Sequence, residues 1–166
     1  MKRYASNILI YIAALFGIIA FIGMFSSPLQ SYNEITDAWV AYKVKAYIGE
    51  VSQGVKVYNG TFYPIIGYTV PFVLSIFLII ESFKPSLRER IAAINTILAI
   101  LYFLSAVLVL LTKELFLNAN NFGDTLLVRN GVGPIIGAVC SSLAGVILLV
   151  VTWMPGQKPV DFIVKE

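Results

Sequence analysis

The residue types that carry most protein chemistry are thin in this chain, and their placement narrows what it can do. Histidine is absent from all 166 residues, which removes the usual axial ligand of a membrane haem, His-containing copper and di-iron sites, and the His general base. The single cysteine, Cys140, sits in an apolar run, so neither an intrachain disulfide nor a thiolate cluster can be built from it. No carboxylate cluster, Gly-rich phosphate loop or nucleophile with an adjacent base stands out. Net charge is +3 and the pI about 9.0, but the basic residues are scattered and leave no nucleic-acid footprint. The expectation is a protein that is not an enzyme, carries no catalytic, cofactor-binding or metal site, and does not bind nucleic acid.

The polar residues that remain lie within or beside long apolar stretches, where burying them is costly and therefore informative. Asn95 falls about one turn inside such a stretch and reads as interhelical glue. Glu81 falls at the end of another and reads as a hydrated interfacial carboxylate near Lys84, Arg88 or Arg90. Pro71 removes a helical N–H and frees the carbonyl of Gly67, with Ser75 one turn further on. Broken helices of this kind can line transport paths, so Pro71, Asn95 and Glu81 are the candidates for a polar pathway or for interhelical contacts. A second pattern is one of size. Gly133, Gly137, Ser141 and Gly145 recur at every fourth position, and Ala13, Gly17 and Ala20 form a shorter stripe. Small residues let helix backbones approach closely where lipid gives no hydrophobic drive, either within one molecule or between molecules.

The elements that must position these residues follow from composition. With 58% hydrophobic and 13% charged residues and a mean hydropathy of +0.84, the natural solvent is lipid. A span needs roughly 20 apolar residues at helical rise, and four stretches qualify, at 8–27, 64–83, 91–112 and 132–153. The first follows Lys2 and Arg3 and precedes Ser26-Ser27-Pro28 as a secretory signal would, but its apolar core is too long for one and predicts a retained span. Basic residues collect on the cytoplasmic side in short connections. Lys2, Arg3, Lys84, Arg88 and Arg90 mark that side. Lys43, Lys45, Lys56, Lys113 and Arg129 are diluted by Glu34, Asp37, Glu50, Glu114 and Asp124 on the other. Both termini are thus expected in the cytoplasm. Tyr4, Phe83 and Trp153 suit one interfacial belt, and Tyr32, Tyr63, Tyr68 and Phe116 the other.

Two outer loops result, 28–63 and 113–131. Val40 to Ile48 alternates with a period of two, as a half-buried strand does, while Ile35, Trp39, Tyr42 and Ala46 also fit a helical face, so 35–51 is open to either reading. Asn59-Gly60 supplies the positive φ of a tight hairpin turn, and Asn59-Gly60-Thr61 also matches the N-glycosylation pattern. Thr125 to Arg129 predicts one more short strand.

In topology alone this layout resembles the claudin-type four-span organisation. The paired cysteines and tryptophan-rich signature of that family's first loop are missing, Trp39 being the only tryptophan there. Small multidrug transporters also have four spans but depend on an acidic residue in the first, which has none here. The expected fold is an all-α membrane protein: a single-domain four-helix transmembrane bundle with a small extracytoplasmic β-hairpin or sheet cap in the first outer loop. The expected role is a non-catalytic subunit or scaffold in the cell membrane, of the kind that serves as an accessory subunit of a respiratory or other multi-subunit membrane complex. Its partners would be membrane lipids and other integral membrane proteins, or further copies of itself. The alternative is a small oligomeric transporter or channel.

Overall fold

The computed structural model describes residues 2–42, 46–53, 55–83, 91–121 and 127–153. It is mostly helical, with two small sheets. The long helices are α1 (Lys2–Gly23), α2 (Tyr63–Ser82), α3 (Ile91–Leu110) and α5 (Val132–Trp153), and α4 (Thr112–Ala119) is short. Three of them, α2, α3 over Ala93–Leu110 and α5, are long and apolar enough to cross a membrane, and α1 contributes a shorter apolar stretch, Asn7–Gly23. Side chains on their outer faces, among them Leu15, Val73, Leu104 and Val139, are exposed and apolar, the inverse of a helix turned to water. These features mark a multi-pass membrane protein.

α1 packs beside α2 and α5, and α3 beside α2 and α5. Their shared core comprises Ala13, Ala14, Leu74, Leu78, Leu98, Ala99, Tyr102, Ala144 and Leu148. α1 stops at Gly23, short of the expected Ser27, because Met24, Phe25 and Ser26 each donate to the carbonyl three residues back and tighten the chain into turns ahead of Pro28. α3 ends at Leu110 rather than 112. Asn130 fixes that break: its Nδ2 donates to the Leu110 carbonyl at 2.7 Å and its Oδ1 accepts from the Lys113 N–H at 3.0 Å.

A cap covers one end. Strands β1 (Leu29–Asn33), β2 (Ala38–Tyr42) and β5 (Val128–Asn130) form an antiparallel sheet in the order β2-β1-β5, and β3 (Gly49–Ser52) pairs with β4 (Val55–Asn59) as a hairpin. Leu29 and Val128, from the inner face of the first sheet, cluster with Ala46 and with Phe116 of α4, and Tyr58 packs against them.

Several expectations are corrected here. The segment 35–51 holds strands, not a helix, and the alternation from Val40 does not run through to Ile48: β2 ends at Tyr42, and Ala46–Ile48 is a turn. Residues 43–45 lie outside the described residues. The hairpin does not turn at Asn59-Gly60. It turns after Ser52, where Gln53 takes φ 50°. Asn59 ends β4 instead, and Gly60 is needed for closeness, since a Cβ there would overlap the backbone of Ile48 and Gly49. β5 supplies the expected strand near Arg129, shifted to Val128–Asn130, with Thr125 and Leu126 outside the described residues. Tyr68 and Phe116, expected in an interfacial belt, are fully buried. Both fill space beneath the cap rather than facing headgroups.

Candidate functional site

The structure separates the expected site residues into three places. In the middle of the core, α1 meets α2 at a polar cluster. Ser75 Oγ donates to the Pro71 carbonyl at 2.7 Å and lies 3.0 Å from Tyr102 Oη, which also approaches that carbonyl at 3.3 Å. Ser75 and Tyr102 are fully buried. With Tyr102 donating to Ser75 and Ser75 to Pro71, both hydroxyl protons are used, as burial demands. Gly17 makes room for this cluster: a Cβ there would overlap Ser75 Oγ and lie 2.7 Å from Tyr102 Oη and 2.8 Å from the Pro71 oxygen. Pro71 and Gly17, singled out from sequence, thus meet. Tyr102, which completes the cluster, was missed because a tyrosine inside an apolar run carries no signal of its own.

The stripe on α5 faces the molecule's own helices. Gly133 abuts the Gly23 carbonyl of α1, where a Cβ would lie 2.6 Å from that oxygen. Gly137 receives the Tyr68 ring of α2, and Gly145 lies against Phe103 and the Ala99 carbonyl of α3. Ser141, Ala13 and Ala20 are buried as well. The outer side of α5 forms, with Leu110 of α3, an open apolar groove of about 310 Å³ lined by Ile135, Ala138, Val139, Ser142, Leu143 and Val146.

The remaining polar candidates stand apart from the central cluster. Asn95 is 2% exposed, and its Nδ2 has no hydrogen-bond partner among the described residues, as is also true of Ser141 Oγ and Thr61 Oγ1. Among the described residues, the interhelical hydrogen bond expected of Asn95 is therefore not made through Nδ2. Glu81, near the end of α2, is partly exposed, and Lys84, Arg88 and Arg90 lie outside the described residues. Among the described residues no three Cys, Asp or Glu side chains gather as a metal would require.

The cap is tied down by polar contacts that sequence reading did not anticipate. Asn59 N–H donates to Asn120 Oδ1 at 2.7 Å, Asn120 Nδ2 returns to the Asn59 carbonyl at 3.1 Å, and Asn59 Nδ2 donates to the Ala119 carbonyl at 2.7 Å. The amide nitrogen a glycan would need is thus engaged in the fold. Tyr47 reaches down from the cap, donating to Tyr68 Oη at 3.2 Å with the rings edge to face at 5.9 Å. Burial pushes the Tyr47 phenol above the ordinary 10.0, and the hydrogen bond with Tyr68 partly opposes that rise.

The outward face of the three-stranded sheet carries the densest grouping of chemically versatile side chains. Directly opposed residues of an antiparallel pair share a face, and the register sets Tyr32 opposite Trp39 and Gln30 opposite both Ala41 and Arg129. Arg129 Cζ lies 4.4 Å from the Trp39 ring centre and its Nε donates to Gln30 Oε1 at 2.8 Å. The Tyr32 and Trp39 rings meet edge to face at 5.5 Å, and the Tyr32 hydroxyl donates to Asp37, which holds the phenol above its usual range. No family model, curated protein or solved structure matches this chain.

Proposed function

We propose that this chain is a non-catalytic subunit of the cell membrane that crosses the bilayer four times and assembles with other membrane proteins or with itself. α1 supplies the fourth span: its 22 residues reach about 33 Å at helical rise, enough for a hydrocarbon core of about 30 Å. The short link carrying Lys84, Arg88 and Arg90, together with Lys2 and Arg3, sets both termini in the cytoplasm and the cap outside.

One observation carries the assembly reading. The cap lies beyond the helices that face lipid, yet it leaves large apolar side chains uncovered: Ile35 is 95% exposed, Ile48 83% and Val51 67%. Apolar surface held out in water favours a partner that covers it. The open groove on α5 offers a second contact face within the membrane, suited to lipid or to a neighbouring helix. Purification in mild detergent with mass spectrometry tests the reading. A stable stoichiometric companion, or a defined multimer, is expected, and a strictly monomeric protein without a companion overturns it.

A small oligomeric transporter or channel is the second reading, and the buried Asn95 Nδ2, unpartnered among the described residues, favours it. Flux in liposomes that falls in Glu81→Gln and Asn95→Ala variants would establish this role. Absence of flux under any gradient would remove it.

A further inference from the structure

We propose that the outer face of the β2-β1-β5 sheet is a self-association surface whose occupant is a second copy of this chain, docked about a twofold axis that sets Arg129 of each copy against Asp37 of the other. The proposal rests on the assembly reading above and names a second copy as one partner, on a face other than that of the exposed Ile48 and Val51 at the β3-β4 hairpin.

The face is built before any partner arrives. Leu29 and Val128 seat the opposite face on Phe116, so the sheet cannot turn over. Asn33 Oδ1 accepts from the Ile35 and Thr36 N–H groups and shapes the β1–β2 turn, and Asp37 leaves it with φ 50°. That places the Asp37 carboxylate at the Tyr32 hydroxyl, at one side of the aromatic pair. Gln30 and Trp39 hold the Arg129 guanidinium on the same face. Rotamer freedom that binding would otherwise have to quench is already spent.

Charge selects the occupant. Arg129 and Asp37 are both exposed and form no ion pair with each other. Among the described residues the one ion pair is Lys113 with Glu114, at 3.5 Å. One cation and one anion flanking an aromatic pair make a face complementary to itself: rotation by half a turn matches each charge with its opposite, as an isologous contact requires. Trp, Tyr and Arg are also the residue types that dominate binding energy when an interface buries them. Copies anchored in one bilayer meet at high effective concentration, so a patch of this size needs less area than a soluble complex does.

The test uses full-length chains carrying two different tags, co-expressed and purified in mild detergent. Wild-type copies are expected to co-purify. Arg129→Asp copies should lose at least ten-fold of that recovery with one another, Asp37→Arg copies likewise, and a mixture of the two variants should regain it, because both charge contacts re-form with signs exchanged. A second measurement leaves Arg129 and Asp37 untouched: in a Cys140→Ser background, Ala41→Cys on this face should cross-link into a dimer in native membranes, whereas Val51→Cys on the other sheet should not. Failure of the mixture to pair while each variant keeps its cap protease-resistant, or absence of the Ala41→Cys dimer, overturns the proposal. If differently tagged copies separate while another membrane protein stays bound, the self-association surface is wrong and the assembly reading stands. If the chain is alone and monomeric, both fall.

Discussion

Asn59 and Asn95 carry the same amide in opposite circumstances. Asn59 spends its side-chain donor on the last residue of α4 and its backbone groups on Asn120 beside it, whereas Asn95 Nδ2, within the helical core, has no partner among the described residues. An orphaned buried donor costs about 1–3 kcal/mol. Asn95→Val, nearer to it in volume than Leu and without the donor, should therefore raise stability by about that amount in a denaturing-detergent titration; a loss of stability would mean the amide has a partner in the membrane. Tyr47 makes a pH-dependent contribution. Its folded-state pKa lies above 10.0, so the protonated phenol is favoured in the docked cap. The stabilisation is complete below the unfolded pKa and is lost as pH rises beyond 10.0 through the folded value. Protease resistance of the cap should stay flat from acid to neutral pH and fall only in strongly alkaline solution, with Tyr47→Phe abolishing that contribution. A midpoint near neutrality would contradict the assignment. None of these partnerships was legible in the sequence, because each joins positions brought together only by tertiary contact.

Helices and strands differed in how readily they could be read. Long apolar runs announce helices because unpaired backbone groups are too costly in hydrocarbon, and α2, α3 and α5 fall within a residue or two of their expected limits. α4 went unread for a physical reason: eight residues mixing Lys113, Glu114 and Asn118 with Phe116 and Leu117 fall well short of an apolar span. The Asn-Gly pair misled because its turn chemistry is real but unused; Gly60 serves close packing instead. Close packing also sets the most sensitive helix contact. Gly17→Ala must displace Ser75, Tyr102 or the Pro71 backbone and should cost about 1–3 kcal/mol. Pairing it with Ser75→Ala should recover part of that loss, and Gly23→Ala, whose nearest neighbour would be 3.1 Å away, should cost less. Equal losses at Gly17 and Gly23 would show that the polar cluster does not govern how closely α1 approaches α2.

At the scale of the whole molecule, small residues bring α5 against α1, α2 and α3, and the cap is stitched to the end of the bundle beneath it. The Gly131 N–H donates to the Pro28 carbonyl and the Gly133 N–H to that of Ser27, joining the end of α1 to the start of α5. Composition made the membrane class plain, and the stripe on α5 was visible as spacing. Which helices the stripe would meet was not, because periodicity defines a face without naming its neighbour. The cap's outward platform was equally hidden, since it depends on β1 pairing with β5 nearly a hundred residues later in the chain. Topology decides which surfaces a partner can reach. In a Cys140→Ser background, an impermeant maleimide applied to intact cells should label Ile35→Cys in the cap at once and Arg88→Cys only after permeabilisation. Labelling of both positions from the same side would contradict a chain that passes α2 through the bilayer between them.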